Sequence, residues 1–157
     1  METMDAFGST QNMDLERIKR DPMELRFVQN QTPELCLEAV KRNGLALQFV
    51  KHQTEEICLA AVQQCGRALR FVKNQTYAIC YKAVLENGWA IEYAEKQNKE
   101  ICMLAVKTYN QALKFVKDQT LDICLEAVHS YYNDALQYVK NEFYDTCEKE
   151  VKARSRW

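Results

Sequence analysis

Glycine and proline are scarce in this chain of 157 residues, with four and two copies. A sandwich or barrel needs turn residues every 8–12 positions or so, and these are too few, which argues against an all-β architecture. They are also too few for a Gly-rich phosphate loop. Serine occurs only at Ser9, Ser130 and Ser155 and histidine only at His52 and His129, so most hydrolase chemistries lack raw material. No run approaches the roughly 18 apolar residues that cross a bilayer, and no membrane association is expected. The segment Met1–Thr10 has neither a basic n-region nor an apolar h-region, which predicts no secretory signal. Seven cysteines without such a signal are expected to be reduced thiols in an intracellular setting. The sequons at Asn30 and Asn74 are then a by-product of a repeated NQT string. A net charge of −1 is not that of a polycation built for nucleic acid.

What is present is a repeat. Phe27-Val28, Phe49-Val50, Phe71-Val72, Tyr93-Ala94 and Phe115-Val116 recur every 22 residues, and Tyr138-Val139 follows after 23. Cys36, Cys58, Cys80, Cys102 and Cys124 keep the same step, with Cys147 23 residues later. Ala39-Val40, Ala61-Val62, Ala83-Val84, Ala105-Val106 and Ala127-Val128 form a third column, and Gln31, Gln53, Gln75, Gln97 and Gln119 a fourth. Agreement of several columns over most of the chain leaves no room for chance.

Each unit reads as two short helices. Ala46, Phe49, Val50 and Gln53 share one face at helical spacing. Thr54 fits an N-cap, with Glu55 and Glu56 in the first turn of a second helix. Ile57, Cys58, Ala61, Val62 and Cys65 form its apolar stripe. The caps Thr32, Thr76, Asn98 and Thr120 repeat this, and Pro33 suits a first helical position. Gly44, Gly66 and Gly88, then Asn110 and Asn133, read as left-handed C′ residues that stop a helix. The apolar spacing is 3–4 rather than 2, and no LxxLxL string occurs, so strands and leucine-rich repeats fail.

The expected fold is all-α: a solenoid of six or so two-helix repeats, about 13 short helices in all, that is stable only through stacking. A leading half-repeat is expected over 11–20. Arg17 and Asp14 replace small apolar residues there, as Glu148 and Glu150 do near the other end, which suits polar caps. The expected organisation is a flexible segment 1–9, one complete repeat domain 10–153, and a short basic tail 154–157 containing Arg154, Arg156 and Trp157.

The string ALxFVKxQTxxICLxAV is carried by Ala46–Val62, Ala68–Val84, Ala112–Val128 and, more loosely, Ala90–Val106. It resembles a family of short helical repeats of unknown function, abundant in giant viruses of amoebae with scattered bacterial members. The resemblance covers residues 10–153. It implies the solenoid fold and a viral protein of host cytoplasm or virion, and it carries no catalytic residue. Phe143 departs from the pattern, standing in the threonine column.

Several columns invite a chemical reading. Stacked repeats place equivalent cysteines one helix spacing, about 8–10 Å, apart. That is too far for a disulfide and for four sulfurs on one zinc, so the ladder reads as packing. Cys65 stands outside it and is the thiol expected to be exposed. His52 and His129 are three to four repeats apart and form no common site. No metal and no cofactor is expected, and the chain is not expected to be an enzyme. The glutamine column either lines a groove that binds extended peptide or satisfies backbone groups at the turn. Its place directly before each cap favours the turn.

Charge and aromatics suggest a partner. Residues 41–82 carry seven basic residues against two acidic, while residues 1–40 carry four against eight. Tyr77, Trp89, Tyr109, Tyr131 and Tyr132 stand in columns that are polar elsewhere; Trp89 aligns with Arg67 and Gln111. The expected function is a protein-interaction scaffold that binds a protein partner through Lys51, Arg70, Lys73, Trp89 and Tyr109. The alternative is nucleic-acid or phosphate binding through the basic repeats 41–82, although Glu92 and Glu95 interrupt that track.

Overall fold

The computed structural model describes residues 3–129 and 133–154. It is an all-α repeat solenoid, as the periodicity predicts. Seven α-helices alternate with six 3-10 helices among the described residues. The α-helices are α1 (Thr3–Arg20), α2 (Pro33–Arg42), α3 (Glu55–Gln64), α4 (Tyr77–Glu86), α5 (Lys99–Thr108), α6 (Leu121–Val128) and α7 (Asn141–Arg154). The 3-10 helices are Pro22–Phe27, Gly44–Phe49, Gly66–Phe71, Gly88–Tyr93, Asn110–Phe115 and Asn133–Tyr138. Tyr131, Tyr132, Arg156 and Trp157 lie outside the described residues.

The α-helices stack in one layer and the 3-10 helices in a second. Every element touches only elements of its own or an adjacent repeat. The core runs along the seam between the layers. Leu35, Cys36, Ala39 and Val40 of α2 are buried, and so are the matching residues of α3 to α6. Ala46, Leu47 and Val50 and their equivalents close it from the other layer. No polar or charged residue is buried among those described.

The shorter element departs from the expected α-helix. At three residues per turn, Gly44, Leu47 and Val50 fall on one edge and all are buried, while Ala46 and Phe49 share another. Gln53 lies beyond the helix. Six residues give an α-helix hardly more than one turn, whereas the tighter winding closes bonds at once: Ala46 N donates to Asn43 O at 2.9 Å and Val50 N to Leu47 O at 3.1 Å. Asn43 ends α2 and starts the 3-10 helix, its side chain accepting from Leu45 N at 3.0 Å.

The glycine column also differs from its reading. No residue described has a positive φ, so these glycines are not left-handed stops. They begin the 3-10 helices at points where the next repeat presses against the backbone. The column turns to Asn110 at the joint where the next repeat changes. There α6 has eight residues rather than ten and leaves through His129 in the right-handed α region.

Four caps form as expected. Thr32, Thr54, Thr76 and Asn98 accept from Leu35, Ile57, Ile79 and Ile101 N at 3.3, 3.3, 3.4 and 2.8 Å. Thr120 makes no side-chain cap bond. At the first helix Arg17 pairs with Asp14 at 3.3 Å and with Glu24 at 2.8 Å, so the charges that replace core residues neutralise one another. At the far end Glu150 faces His129 at 3.7 Å and Glu148 holds Lys152 at 2.9 Å.

Candidate interaction face

The joint between repeats decides which side chains remain for a partner. In the first joint Gln31 Nε2 donates to Leu25 O at 3.2 Å and, across the joint, to Phe49 O at 2.9 Å. Its Oε1 accepts from Lys51 N at 3.0 Å and from the Cys36 thiol at 3.9 Å. All four hydrogen-bonding positions of the amide are therefore used. The same pattern recurs at Gln53, where Nε2 reaches Leu47 O and Phe71 O at 3.5 and 2.9 Å while Oε1 takes Lys73 N at 3.0 Å and Cys58 Sγ at 3.7 Å. Gln75 and Gln97 repeat it. Gln119 closes the last joint onto Tyr138 O at 2.9 Å. The glutamines satisfy backbone groups at the turn, and their amides are spent there.

The lysines that follow the 3-10 helices are engaged as well. Lys51 Nζ lies 2.8 Å from Gln29 O, and Lys73 Nζ lies 3.2 Å from Lys51 O. Lys117 and Lys140, in the same column, do likewise, and the column position was the signal that identifies them.

The 3-10 layer carries the aromatic groups. Trp89 is the second residue of its 3-10 helix, its backbone N bonded to Asn87 Oδ1 at 3.0 Å. Its half-buried ring meets Phe115 edge-on with centroids 5.7 Å apart and Tyr109 at 6.4 Å. The Lys114 ammonium stands 4.5 Å from the Trp89 ring and 4.7 Å from that of Phe115. One repeat back, the Arg70 guanidinium lies 4.9 Å from the Phe71 ring and 5.8 Å from Tyr93, in the same 3-10 helix as Trp89. The structure thus brings Trp89 and Tyr109 together, sets Arg70 on the same layer, and places Lys51 and Lys73 on the loops behind it. Lys114 and Phe115 complete the cluster. Lys114 shares a column with Arg26 and Arg70, directly before the aromatic column.

The cysteine ladder is a packing element with a polar handle. Cys36, Cys58, Cys80, Cys102, Cys124 and Cys147 are buried and free, whereas Cys65 is half-buried. Burial pushes the ladder thiols up, to about 11 at Cys102 and Cys124. Among the described residues no group of histidine, cysteine and carboxylate side chains can hold a metal ion. No described helix is long and apolar enough to cross a membrane.

Repeated α and 3-10 helices joined by glutamine clips define an α-solenoid repeat protein. Residues 32–75 and 78–121 match the family described as Domain of unknown function (DUF4116), and each match spans two repeats. Together they cover more than half of the chain, which belongs to that family. No curated protein and no solved structure matches it.

Proposed function

We propose that the chain is a non-enzymatic scaffold whose 3-10 layer holds a protein partner through the central repeats. The observation that carries this reading is the Trp89 cluster. Neighbouring repeats place Arg67 and Gln111 at the tryptophan's position and stack in the same order, so packing between repeats does not require an aromatic there. Large aromatic rings flanked by Arg70 and Lys114 are the side chains that most often carry interface energy. The residues that recur in every repeat are spent on joining repeats, which supports a scaffold over a catalyst. The ammonium groups of Lys51 and Lys73 point at backbone carbonyls, which favours a protein over a phosphate backbone.

The test is capture from cells of the source organism by immobilised protein, at 50 and 200 mM salt and with nuclease, using wild type and Arg70→Ala/Trp89→Ala. The double variant keeps its far-ultraviolet circular dichroism and loses the partner, and nuclease leaves wild-type capture intact. Unchanged capture by the folded variant overturns the reading. A steep loss with salt together with nuclease sensitivity establishes the phosphate alternative instead.

A further inference from the structure

The lysine ladder that joins the repeats is interrupted once. Two residues after Phe49, Phe71, Tyr93, Phe115 and Tyr138 of the 3-10 layer stand Lys51, Lys73, Glu95, Lys117 and Lys140; the first repeat, after Phe27, has Gln29 there. Each lysine turns its ammonium back onto the preceding repeat. Lys51 Nζ lies 2.8 Å from Gln29 O and 3.4 Å from Val28 O. Lys117 Nζ lies 3.1 Å from Ala94 O and 3.0 Å from Glu95 O. Lys73 and Lys140 reach Lys51 O and Lys117 O at 3.2 and 3.3 Å. The equivalent carbonyls in front of Glu95 belong to Val72 and Lys73, and the lysine that would cover them is replaced by a carboxylate.

The backbone frame at this joint is the same as at the others. Glu95 N donates to Gln75 Oε1 at 3.0 Å, as Lys51, Lys73 and Lys117 N donate to Gln31, Gln53 and Gln97 at 3.0, 3.0 and 2.9 Å. The side chain therefore leaves from the ladder position. Thiol electrostatics agree: burial raises Cys80 and Glu95 adds to the rise, whereas Lys73 opposes the rise at Cys58 and Lys140 at Cys124. Among the described residues Glu95 is in no ion pair. The ladder cations of the adjoining repeats are held by carbonyls: Lys73 Nζ by Lys51 O, and Lys117 Nζ by Ala94 O and by the backbone carbonyl of Glu95 itself.

We propose that the gap at Glu95 binds a primary ammonium group, presented by a lysine side chain of a partner protein. Two backbone carbonyls and one carboxylate match the three N–H donors of an alkylammonium. The carbonyl pair is the receptor that the chain itself uses for Lys51 and Lys117, one carbonyl of the pair serving Lys73 and Lys140, and the carboxylate supplies the charge for a guest that is not covalently attached. Three oxygens are few for calcium, which takes about 6–8. The site is separate from the Trp89 cluster and stands whether or not that cluster binds.

The test titrates Nα-acetyl-lysine N-methylamide into isotope-labelled protein and follows the backbone amides of Lys73, Asn74 and Glu95 by NMR. Saturable shifts confined to these amides are expected. The norleucine analogue, which lacks the ammonium, and tetramethylammonium, which lacks N–H groups, give none. Glu95→Gln weakens binding by up to about fivefold. Glu95→Lys restores the ladder, abolishes the shifts and raises the melting midpoint by about 1–3 °C. No saturable shift in the wild type, the same shift in Glu95→Lys, or an equal response to sodium or potassium ions overturns the proposal. So does a lowered midpoint in Glu95→Lys, because the carbonyl pair is then not available at this joint. A glycine-terminated peptide amide separates side-chain from N-terminal amines; preference for the latter also overturns it.

Discussion

A Cβ on Gly44 would stand 2.3 Å from the carbonyl oxygen of Ala61 in the next repeat. The corresponding distances are 2.4 Å from Gly66 to Ala83 O and 2.7 Å from Gly88 to Ala105 O. The obstacle is backbone, which yields only if the repeats move apart. Gly44→Ala and Gly66→Ala are therefore expected to cost about 2–4 kcal/mol each, with Gly88→Ala the mildest of the three. Urea unfolding of the three variants checks the order. Three equal and small effects would mean that the repeat spacing relaxes freely.

The glutamine clips act in the same joints. Gln53→Ala removes the partners of Phe71 O, Lys73 N and the Cys58 thiol at one stroke. The expected cost is about 1–3 kcal/mol, because the Phe71 carbonyl and the Cys58 thiol left behind are partly buried. Amide hydrogen exchange at Lys73 should accelerate more than the global destabilisation explains. Exchange that merely tracks global unfolding would remove the clip from the account.

The thiols separate into two classes. A labelling reagent should modify Cys65 in the native protein and reach the six ladder cysteines only on unfolding. Uniform fast labelling would contradict the packing of the seam.

The same burial makes stability depend on pH. Unfolded thiols ionise near pH 8.5 or so, whereas Cys102 and Cys124 are held up to about 11 in the fold. The folded chain thus keeps protons that the unfolded chain loses. The stabilisation is full below about pH 8.5 and declines as pH rises through 11 or so. The urea midpoint should fall across that window, and less steeply in Cys102→Ala/Cys124→Ala.

A charge in the alanine column is tolerated only at the ends. Ala83 is fully buried between stacked helices, and Ala83→Glu is expected to cost at least about 3 kcal/mol. Glu150 occupies the same column in α7, where it is partly exposed and faces His129. A melting midpoint for Ala83→Glu within a degree or two of the parent's would break the stacking assignment.

Much of this architecture is legible in the residues. The 22-residue step, the Thr and Asn caps and the buried cysteines follow from spacing and capping chemistry alone. The 3-10 winding does not, because Ala46, Phe49 and Val50 satisfy the α spacing as well as a three-residue turn that runs into extended chain. The glycines mislead for a related reason. A glycine selected for close approach and one selected for positive φ are the same letter, and only the position of Ala61 O separates them. The place of the glutamines at the turn is legible from the cap that follows each, but their reach into the next repeat depends on a neighbour that spacing does not show. Of the candidate face, Trp89, Arg70 and Tyr109 stand out against polar columns. Lys51 and Lys73 look equally available until the carbonyls that hold them are seen.

Because each joint repeats the same glutamine contacts, and every joint but the one at Glu95 the same lysine contact, the length of this solenoid is set by copy number and not by a closed core. Excising or duplicating a 22-residue unit leaves every remaining joint with its own partners. Such a molecule is a graduated ruler. Its reach changes in fixed steps while the spacing between surface features on the retained units stays constant, and a surface group such as Trp89 or Glu95 can be moved along the rod by recombination without redesigning what supports it.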